Sequence, residues 1–231
     1  MKKLLIASTS TVYGSDYLEY LLPTLTSFFE GVSTLLFIPY ARPGGISYDA
    51  YTAKVKAAFA SIHMNVQGIH QFQNPKKAVL DAQAIFTGGG NTFELVHQLY
   101  ANDLLTDLKK VLEHGVPYLG TSAGSNICGV SMMNTNDMPV VYPPSFETLG
   151  LIPFNINAHY LDPIQGSTHM GETRETRILE FHLYNETPVV GLREGSWLEV
   201  KGSTITLKGN LRARVFQKGM PPVEIESGTV V

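Results

Sequence analysis

Short apolar runs alternate with longer amphipathic segments over the first half of the chain, and this alternation limits the fold more than any other feature. The runs with the length and β-branched content of buried strands are 3–8, 34–39, 65–69, 84–87 and 116–119. The helix-like segments are 15–30, 48–62, 75–82, 92–113 and 122–129. Strands that alternate with helices form a parallel sheet covered on both faces. The sequence therefore predicts an α/β fold.

The second half of the chain has a different pattern. Its one helix-like segment is 173–184, and its strand-like runs are 151–157, 187–192, 197–200, 204–207, 213–216 and 223–225. The four short runs of the tail predict antiparallel strands that close one edge of the sheet. No repeat or composition break divides the chain, which predicts a single domain over 1–231. Loops as long as 131–148 and 158–172 are uncommon in compact domains and are often functional.

Composition narrows the classes of function. Charged residues make up 16% of the 231 residues and the net charge is −3, so the chain lacks the basic surface that nucleic-acid binding requires. No apolar run approaches the roughly 18 residues that span a bilayer, so we expect no membrane partner. The single cysteine, Cys128, excludes an internal disulfide and predicts a cytoplasmic protein. Nucleotide motifs and metal-ligand spacings are missing, which predicts no cofactor and no metal.

A Gly-x-Ser-x-Gly motif, Gly120-Thr-Ser-Ala-Gly124, lies directly between a predicted strand and a helical segment. In this context the motif is typical of a tight turn that exposes the serine hydroxyl as a nucleophile. Ser122 is therefore a candidate nucleophile, with a serine helix cap as the alternative. A second glycine turn, Gly88-Gly-Gly-Asn91, follows the strand at 84–87. The backbone N–H groups near Gly89, Gly90 and Ala123 are candidate oxyanion donors, and Asn91 is a candidate substrate contact or helix cap.

A serine nucleophile needs a base and a carboxylate that orients it. Two histidines, His159 and His169, lie in the long loop after the strand-like run at 151–157. We favour His159 because it lies only two residues beyond that run. Three residues could supply the carboxylate: Asp137, Asp162 and Glu194. Glu194 follows the strand-like run at 187–192, whereas Asp137 lies in the loop 131–148, and spacing alone does not choose between them.

Taken together and in this order, the motifs resemble the peptidase E family, the α-aspartyl dipeptidases, over essentially the whole chain. The matching segments are Leu36-Phe-Ile-Pro-Tyr40, Gly88-Gly-Gly-Asn-Thr-Phe93, Gly120-Thr-Ser-Ala-Gly-Ser-Asn126, Asn134-Thr-Asn-Asp-Met-Pro139, Ile156-Asn-Ala-His159, Gly171-Glu-Thr-Arg-Glu175 and Gly191-Leu-Arg-Glu-Gly-Ser-Trp197. The resemblance implies a flavodoxin-like three-layer α/β/α sandwich, similar to class I glutamine amidotransferases, with a mostly parallel sheet. It also implies a serine dipeptidase that hydrolyses Asp-X dipeptides without a metal.

The resemblance also implies roles for individual residues. Ser122 corresponds to the nucleophile, His159 to its base, and either Glu194 or Asp137 to the third member of the triad. We favour Glu194 because it lies at a strand end. Arg174, which otherwise reads as a solvated residue at a helix start, corresponds to the arginine that binds the aspartate carboxylate of the substrate.

Other functions compatible with these motifs are a cyanophycinase-like hydrolase of aspartyl–arginine linkages, an α/β-hydrolase esterase and a catalytically silent small-molecule binding module. The esterase predicts a histidine near the C-terminus, but the last histidine is His182. The chain carries Thr121 and Ala158 where the family often has Trp and Pro, and both adjoin predicted catalytic residues. The motifs therefore predict mechanism more directly than substrate preference. They leave the oligomeric state open, with a homodimer as one candidate.

Overall fold

Eleven strands form two sheets in the computed structural model, which describes residues 1–231 except 164, 165, 167 and 169. The strands are β1 (Lys3–Ala7), β2 (Thr34–Ile38), β3 (Asn65–Gly68), β4 (Ile85–Thr87), β5 (Tyr118–Thr121), β6 (Asn155–Ala158), β7 (Val189–Leu192), β8 (Ser196–Lys201), β9 (Thr204–Gly209), β10 (Ala213–Phe216) and β11 (Val223–Ile225). The large sheet has the order β3-β2-β4-β5-β1-β8-β9. Its first five strands are parallel, and β8 and β9 continue it in antiparallel fashion.

Helices cover both faces of the large sheet. They are α1 (Leu22–Phe28), α2 (Tyr48–Ala60), α3 (Pro75–Leu80), α4 (Thr92–Ala101), α5 (Leu105–Glu113) and α6 (Ala123–Asn126). The last helix, α7 (Arg174–Tyr184), packs against the second, smaller sheet, where its Ile178 contacts the core around Val189 and Phe216. Successive side chains of a strand point to opposite faces. On β1, Leu5 therefore packs with α1 and α2, whereas Leu4 and Ile6 pack with α3, α4 and α5. This arrangement places the turns that follow β4 and β5 at one edge of the sheet, where sites form in α/β folds.

The small sheet has the order β11-β10-β7-β6. Strands β6 and β7 are parallel, and β10 and β11 are antiparallel to their neighbours. Its buried residues Ile156, Val190 and Leu192 belong to the same core as Leu4 and Ile6 of the large sheet. The predicted α/β class and mostly parallel sheet are confirmed. The prediction that all four tail strands close one edge is wrong, because β10 and β11 pair in the small sheet.

Several predicted elements differ in extent. The helix predicted over 92–113 is two helices, because Asp103 takes a left-handed backbone conformation (φ 51°) between α4 and α5. The helical segment predicted at 122–129 is only four residues long, and the strand predicted at 151–157 begins at Asn155. Within the described part of the chain, no helix is long and apolar enough to cross a membrane.

Candidate active site

The turn between β5 and α6 holds Ser122 in an unusual backbone conformation. Its φ of 53° and ψ of −112° lie outside the regions that non-glycine residues normally adopt. Strain of this kind costs on the order of 1–3 kcal/mol and is common at functional sites. The turn can form because Gly124 has no side chain: a Cβ there would lie 2.1 Å from the carbonyl oxygen of Thr87. The Ser122 N–H donates to the carbonyl of Ala7 at 3.2 Å, which ties the turn to β1.

The glycine turn after β4 lies beside this serine. A Cβ on Gly89 would lie 3.0 Å from the Cβ of Ser122 and 3.5 Å from its Oγ. Among the described residues, the backbone N–H groups of Gly89, Gly90 and Ala123 take part in no hydrogen bond. Unpaired N–H groups next to a serine hydroxyl are the donors that an oxyanion needs.

His159 connects the serine to a carboxylate. Its Nε2 lies 2.9 Å from the Oγ of Ser122, and its Nδ1 lies 2.6 Å from Oε1 of Glu194. With the proton on Nδ1, the imidazole donates to Glu194 and can accept the hydroxyl proton of Ser122 at Nε2. This is the arrangement of a serine nucleophile with its base and orienting group. The side chains of His159 and Glu194 are 39% and 52% exposed, so a ligand can approach them from solvent.

Ser8 positions the backbone of His159, and sequence analysis missed it. The Ser8 hydroxyl donates to the carbonyl of Leu192 at 2.6 Å and accepts from the His159 N–H at 2.9 Å. This contact joins the end of β1 to the ends of β6 and β7. It also holds His159 at a φ of 54°, in the left-handed region. The position of Ser8 directly after a buried strand is the one signal in the sequence that could have identified it.

The other acidic candidates lie elsewhere. Oδ2 of Asp137 accepts from the N–H of Thr92 at 2.7 Å and from its hydroxyl at 2.6 Å, with Thr135 Oγ1 at 3.2 Å. No hydrogen bond joins Asp137 to His159 among the described residues. Asp162 forms a two-pronged ion pair with Arg193, with both N–O distances 2.8 Å. His169, the other loop histidine, lies outside the described residues.

Asn91 has both ends of its side chain occupied. Its oxygen accepts from the Glu94 N–H at 3.1 Å and caps α4, and its nitrogen donates to the Met138 carbonyl at 2.7 Å. These contacts match the cap alternative, and they anchor the loop that carries Asp137. A direct contact between Asn91 and substrate stays a prediction.

A cavity of about 250 Å³ opens beside the serine. Its lining residues are Ser122, Asn126, Thr135, Asn136, Asp137, Ala158, His159 and Arg174. Arg174 is the first residue of α7 and is half-buried. Burial and the nearby charge of Arg177 lower its pKa, and the charge of Asp137 raises it. The cavity therefore contains a cation and a carboxylate next to the nucleophile.

Burial keeps two ionisable side chains near the site, Tyr20 and Cys128, in their neutral form. Burial raises the pKa of Tyr20, and the charge of Glu194 raises it further, so the phenol stays neutral and donates to the Thr9 carbonyl at 2.7 Å. Burial also raises the pKa of the Cys128 thiol, which lies behind the serine turn. Over the described residues, no group of three or more His, Cys, Asp or Glu side chains could hold a metal ion.

The sequence matches a known family and its members. The model described as Peptidase family S51 matches residues 4–208. "Peptidase E" of Streptomyces coelicolor is 49% identical, over 98% of this chain and 92% of that protein. A Drosophila melanogaster protein named "Probable alpha-aspartyl dipeptidase" is 47% identical, over 94% and 90% respectively. These similarities confirm the resemblance found in the motifs.

The fold has a counterpart among solved structures. A crystal structure of a peptidase from an acI-B1 actinobacterium has a TM-score of 0.73 to this structure. The two chains are 16% identical, and the alignment covers 100% of this chain and 96% of the other. At that identity the likeness shows the fold alone.

Proposed function

The chain belongs to peptidase family S51, and from this membership and the site geometry we propose that it is a serine dipeptidase that hydrolyses Asp-X dipeptides. The observation that carries the proposal is the 2.9 Å contact between Ser122 Oγ and His159 Nε2. Relatives at nearly half identity are named peptidase E and alpha-aspartyl dipeptidase. Those names favour a dipeptidase over a cyanophycinase-like hydrolase or a silent binding module.

In the proposed mechanism, Ser122 Oγ attacks the carbonyl carbon of the N-terminal aspartyl residue while His159 Nε2 takes the hydroxyl proton. Glu194 accepts from Nδ1–H, which holds the imidazole in the required tautomer and stabilises its charged form. Backbone N–H groups of Gly89, Gly90 and Ala123 donate to the oxyanion, where one such donor contributes about 3–4 kcal/mol.

The tetrahedral intermediate then collapses. His159 gives its proton to the leaving amine of residue X, and an aspartyl ester forms on Ser122. Water, deprotonated by the same imidazole, hydrolyses this ester and regenerates the hydroxyl. Every proton that moves passes through one imidazole.

Substrate choice is assigned to Arg174. Arg174 lines the same cavity as Ser122. A guanidinium binds a carboxylate through two parallel hydrogen bonds, which an ammonium does not match. The aspartate side chain of the substrate is the proposed partner.

The remaining expectations belong to the same proposal. The proposed partner is a small peptide, and a homodimer is the candidate assembly. We place the enzyme in the cytoplasm, where a lone cysteine such as Cys128 stays reduced.

A panel of dipeptides tests the proposal. Asp-Leu, Asn-Leu, Glu-Leu and β-Asp-Leu are compared by kcat/KM for the wild type, for Ser122→Ala and for Ser27→Ala, an exposed serine on α1 that serves as the matched control. We expect kcat/KM for Asp-Leu to exceed that for Asn-Leu by about 100-fold or more, because the half-buried guanidinium of Arg174 has no carboxylate partner in the amide substrate. Ser122→Ala should lower turnover by about 10⁴-fold, and Ser27→Ala should not change it. Equal turnover of Asp-Leu and Asn-Leu would overturn the assignment.

A further inference from the structure

Asp137 has a carboxylate that the proposed reaction leaves without a role. All the hydrogen bonds it accepts among the described residues end on one oxygen, Oδ2, which bonds Thr92 and Thr135. In the same described part of the chain, no hydrogen bond reaches Oδ1. The side chain is thus held firmly by one oxygen while the other stays available.

Asp137 lines a cavity that also contains an opposite charge. Asp137 and Arg174 both line the space beside Ser122. The charge of Asp137 acts on Arg174 and raises its pKa. The amide oxygen of Asn126, also in this lining, is buried and has no hydrogen-bond partner among the described residues. A ligand that enters this cavity meets both a cation and a carboxylate.

An N-terminal aspartyl residue has the complementary chemistry. It has a carboxylate on Cβ and an ammonium on the adjacent Cα, so its two opposite charges lie close together. We propose that Asp137 binds the α-ammonium group of the substrate and thereby makes a free N-terminus a requirement for cleavage. This inference rests on the proposed function and deepens it: Arg174 binds the side-chain carboxylate, and Asp137 binds the amine.

Asp137 also has a structural role, and the test has to distinguish that role from binding of the substrate amine. Its Oδ2 bonds the N–H of Thr92, at the first residue of α4. An amide oxygen can accept the same bonds, so Asp137→Asn keeps this anchor and removes the charge. A charged acceptor binds an ammonium far more strongly than a neutral one does.

Two substrates that differ only in the amine make the measurement specific. Asp-Leu is compared with N-succinyl-leucine, which has the same side-chain carboxylate and scissile bond but no amino group. For the wild type we expect kcat/KM to favour Asp-Leu by about 100-fold. Asp137→Asn should lower the value for Asp-Leu by a similar factor and leave N-succinyl-leucine unchanged, so that the preference disappears.

Arg174→Gln is the matched comparison. Both substrates have the carboxylate that Arg174 is assigned to bind, so this variant should lower kcat/KM for both alike. Turnover of N-succinyl-leucine by Asp137→Asn also reports whether that variant is folded. An equal loss on both substrates in Asp137→Asn, or no loss on Asp-Leu, would overturn the inference.

The pH profile gives a second readout. An α-amino group has a pKa of about 8, and only its protonated form can pair with Asp137. Wild-type kcat/KM for Asp-Leu should therefore fall as pH rises above about 8, and this fall should be weaker in Asp137→Asn. A purely structural role for Asp137 would leave the alkaline limb unchanged, which contradicts the inference.

A binding measurement keeps the inference separate from the reaction. Calorimetry compares L-aspartate with succinate on Ser122→Ala and on the double variant Ser122→Ala, Asp137→Asn. Adding Asp137→Asn should weaken the binding of L-aspartate by about 100-fold and leave the affinity for succinate unchanged. If wild-type enzyme fails to cleave Asp-Leu, the proposed function is wrong, and the inference then depends on this result alone. Equal weakening of both ligands would refute it.

Discussion

The two sheets contribute to the site in different ways. The large sheet supplies the nucleophile and the oxyanion donors from turns at the ends of β4 and β5, where steric contact fixes the backbone. The small sheet supplies the base and the carboxylate from residues that follow β6 and β7, where hydrogen bonds fix the side chains. Ser8 joins the two. The nucleophile is therefore set by packing, and the base by polar contacts that single substitutions can remove.

Among the substitutions that test this comparison, we expect the largest effect from Glu194→Gln, in the part of the site that the small sheet supplies. The amide oxygen can still accept from Nδ1–H, but the neutral amide does not stabilise the imidazolium as a carboxylate does, so kcat should fall by about 10³-fold. Steady-state kinetics with Asp-Leu measures this, and Glu186→Gln, a surface carboxylate paired with Lys218, is the control. A kcat within a factor of a few of the wild type would show that Glu194 does not orient His159.

Gly124→Ala tests whether steric contact fixes the serine turn, which the large sheet supplies. The added Cβ would lie 2.1 Å from the Thr87 carbonyl oxygen, so the serine turn has to move. A displacement of about 1 Å lowers turnover by about 100-fold, and overpacking of this kind costs about 1–3 kcal/mol of stability. Gly44→Ala, at an exposed position with open space around it, should change neither kcat nor the thermal midpoint. Retained activity in Gly124→Ala would show that the turn is not fixed sterically.

We expect a smaller effect from Ser8→Ala, which removes the hydroxyl that joins the two sheets at the site. The His159 N–H and the Leu192 carbonyl lose their partner, which leaves the imidazole less well placed. We expect kcat to fall by about 10-fold with KM unchanged, because the substrate contacts remain. Separate measurement of kcat and KM tests this. A rise in KM at constant kcat would assign Ser8 to substrate binding instead.

Glu224→Gln should give the smallest effect, on stability alone. Hydrogen bonds from Arg193 hold the pKa of Glu224 below its ordinary value of 4.5. A lowered folded-state pKa means that the carboxylate stabilises the fold above pH 4.5 and loses this contribution as pH falls through the folded value. The variant should lose about 1–2 kcal/mol of unfolding free energy at neutral pH and little in acid.

Denaturant unfolding at several pH values checks this prediction, with Glu30→Gln at an exposed surface position as the control. A deficit for Glu224→Gln that grows as pH falls would contradict it.

The residues of the site that could be predicted are those that directly follow a buried strand. The serine turn and the glycine turn follow buried strands that local apolar patterning identifies to within one or two residues. His159 also follows from spacing, since it lies just beyond a strand. The family match confirms the predicted serine peptidase, while the roles of the individual residues stay predictions.

The rest depends on contacts that are distant in sequence. The Ser8 hydroxyl bonds residues 151 and 184 positions away, which no local pattern indicates. Leu151, Ile152 and Phe154 are buried, but they lie in irregular backbone before β6. Their apolar side chains therefore led to a predicted strand that begins four residues before the observed one. The Asn102-Asp103 pair could have indicated the break between α4 and α5, because Asn and Asp tolerate left-handed backbone.

The most direct test of the account maps the site of covalent modification by a fluorophosphonate, which reacts with activated serine hydroxyls. After labelling of the native enzyme and proteolysis, mass spectrometry should find one adduct, on Ser122, with loss of Asp-Leu turnover in proportion to labelling. His159→Ala should prevent the reaction, because the hydroxyl then has no base. An adduct on another residue, or full turnover by enzyme labelled at Ser122, would contradict the assignment of Ser122 as the nucleophile.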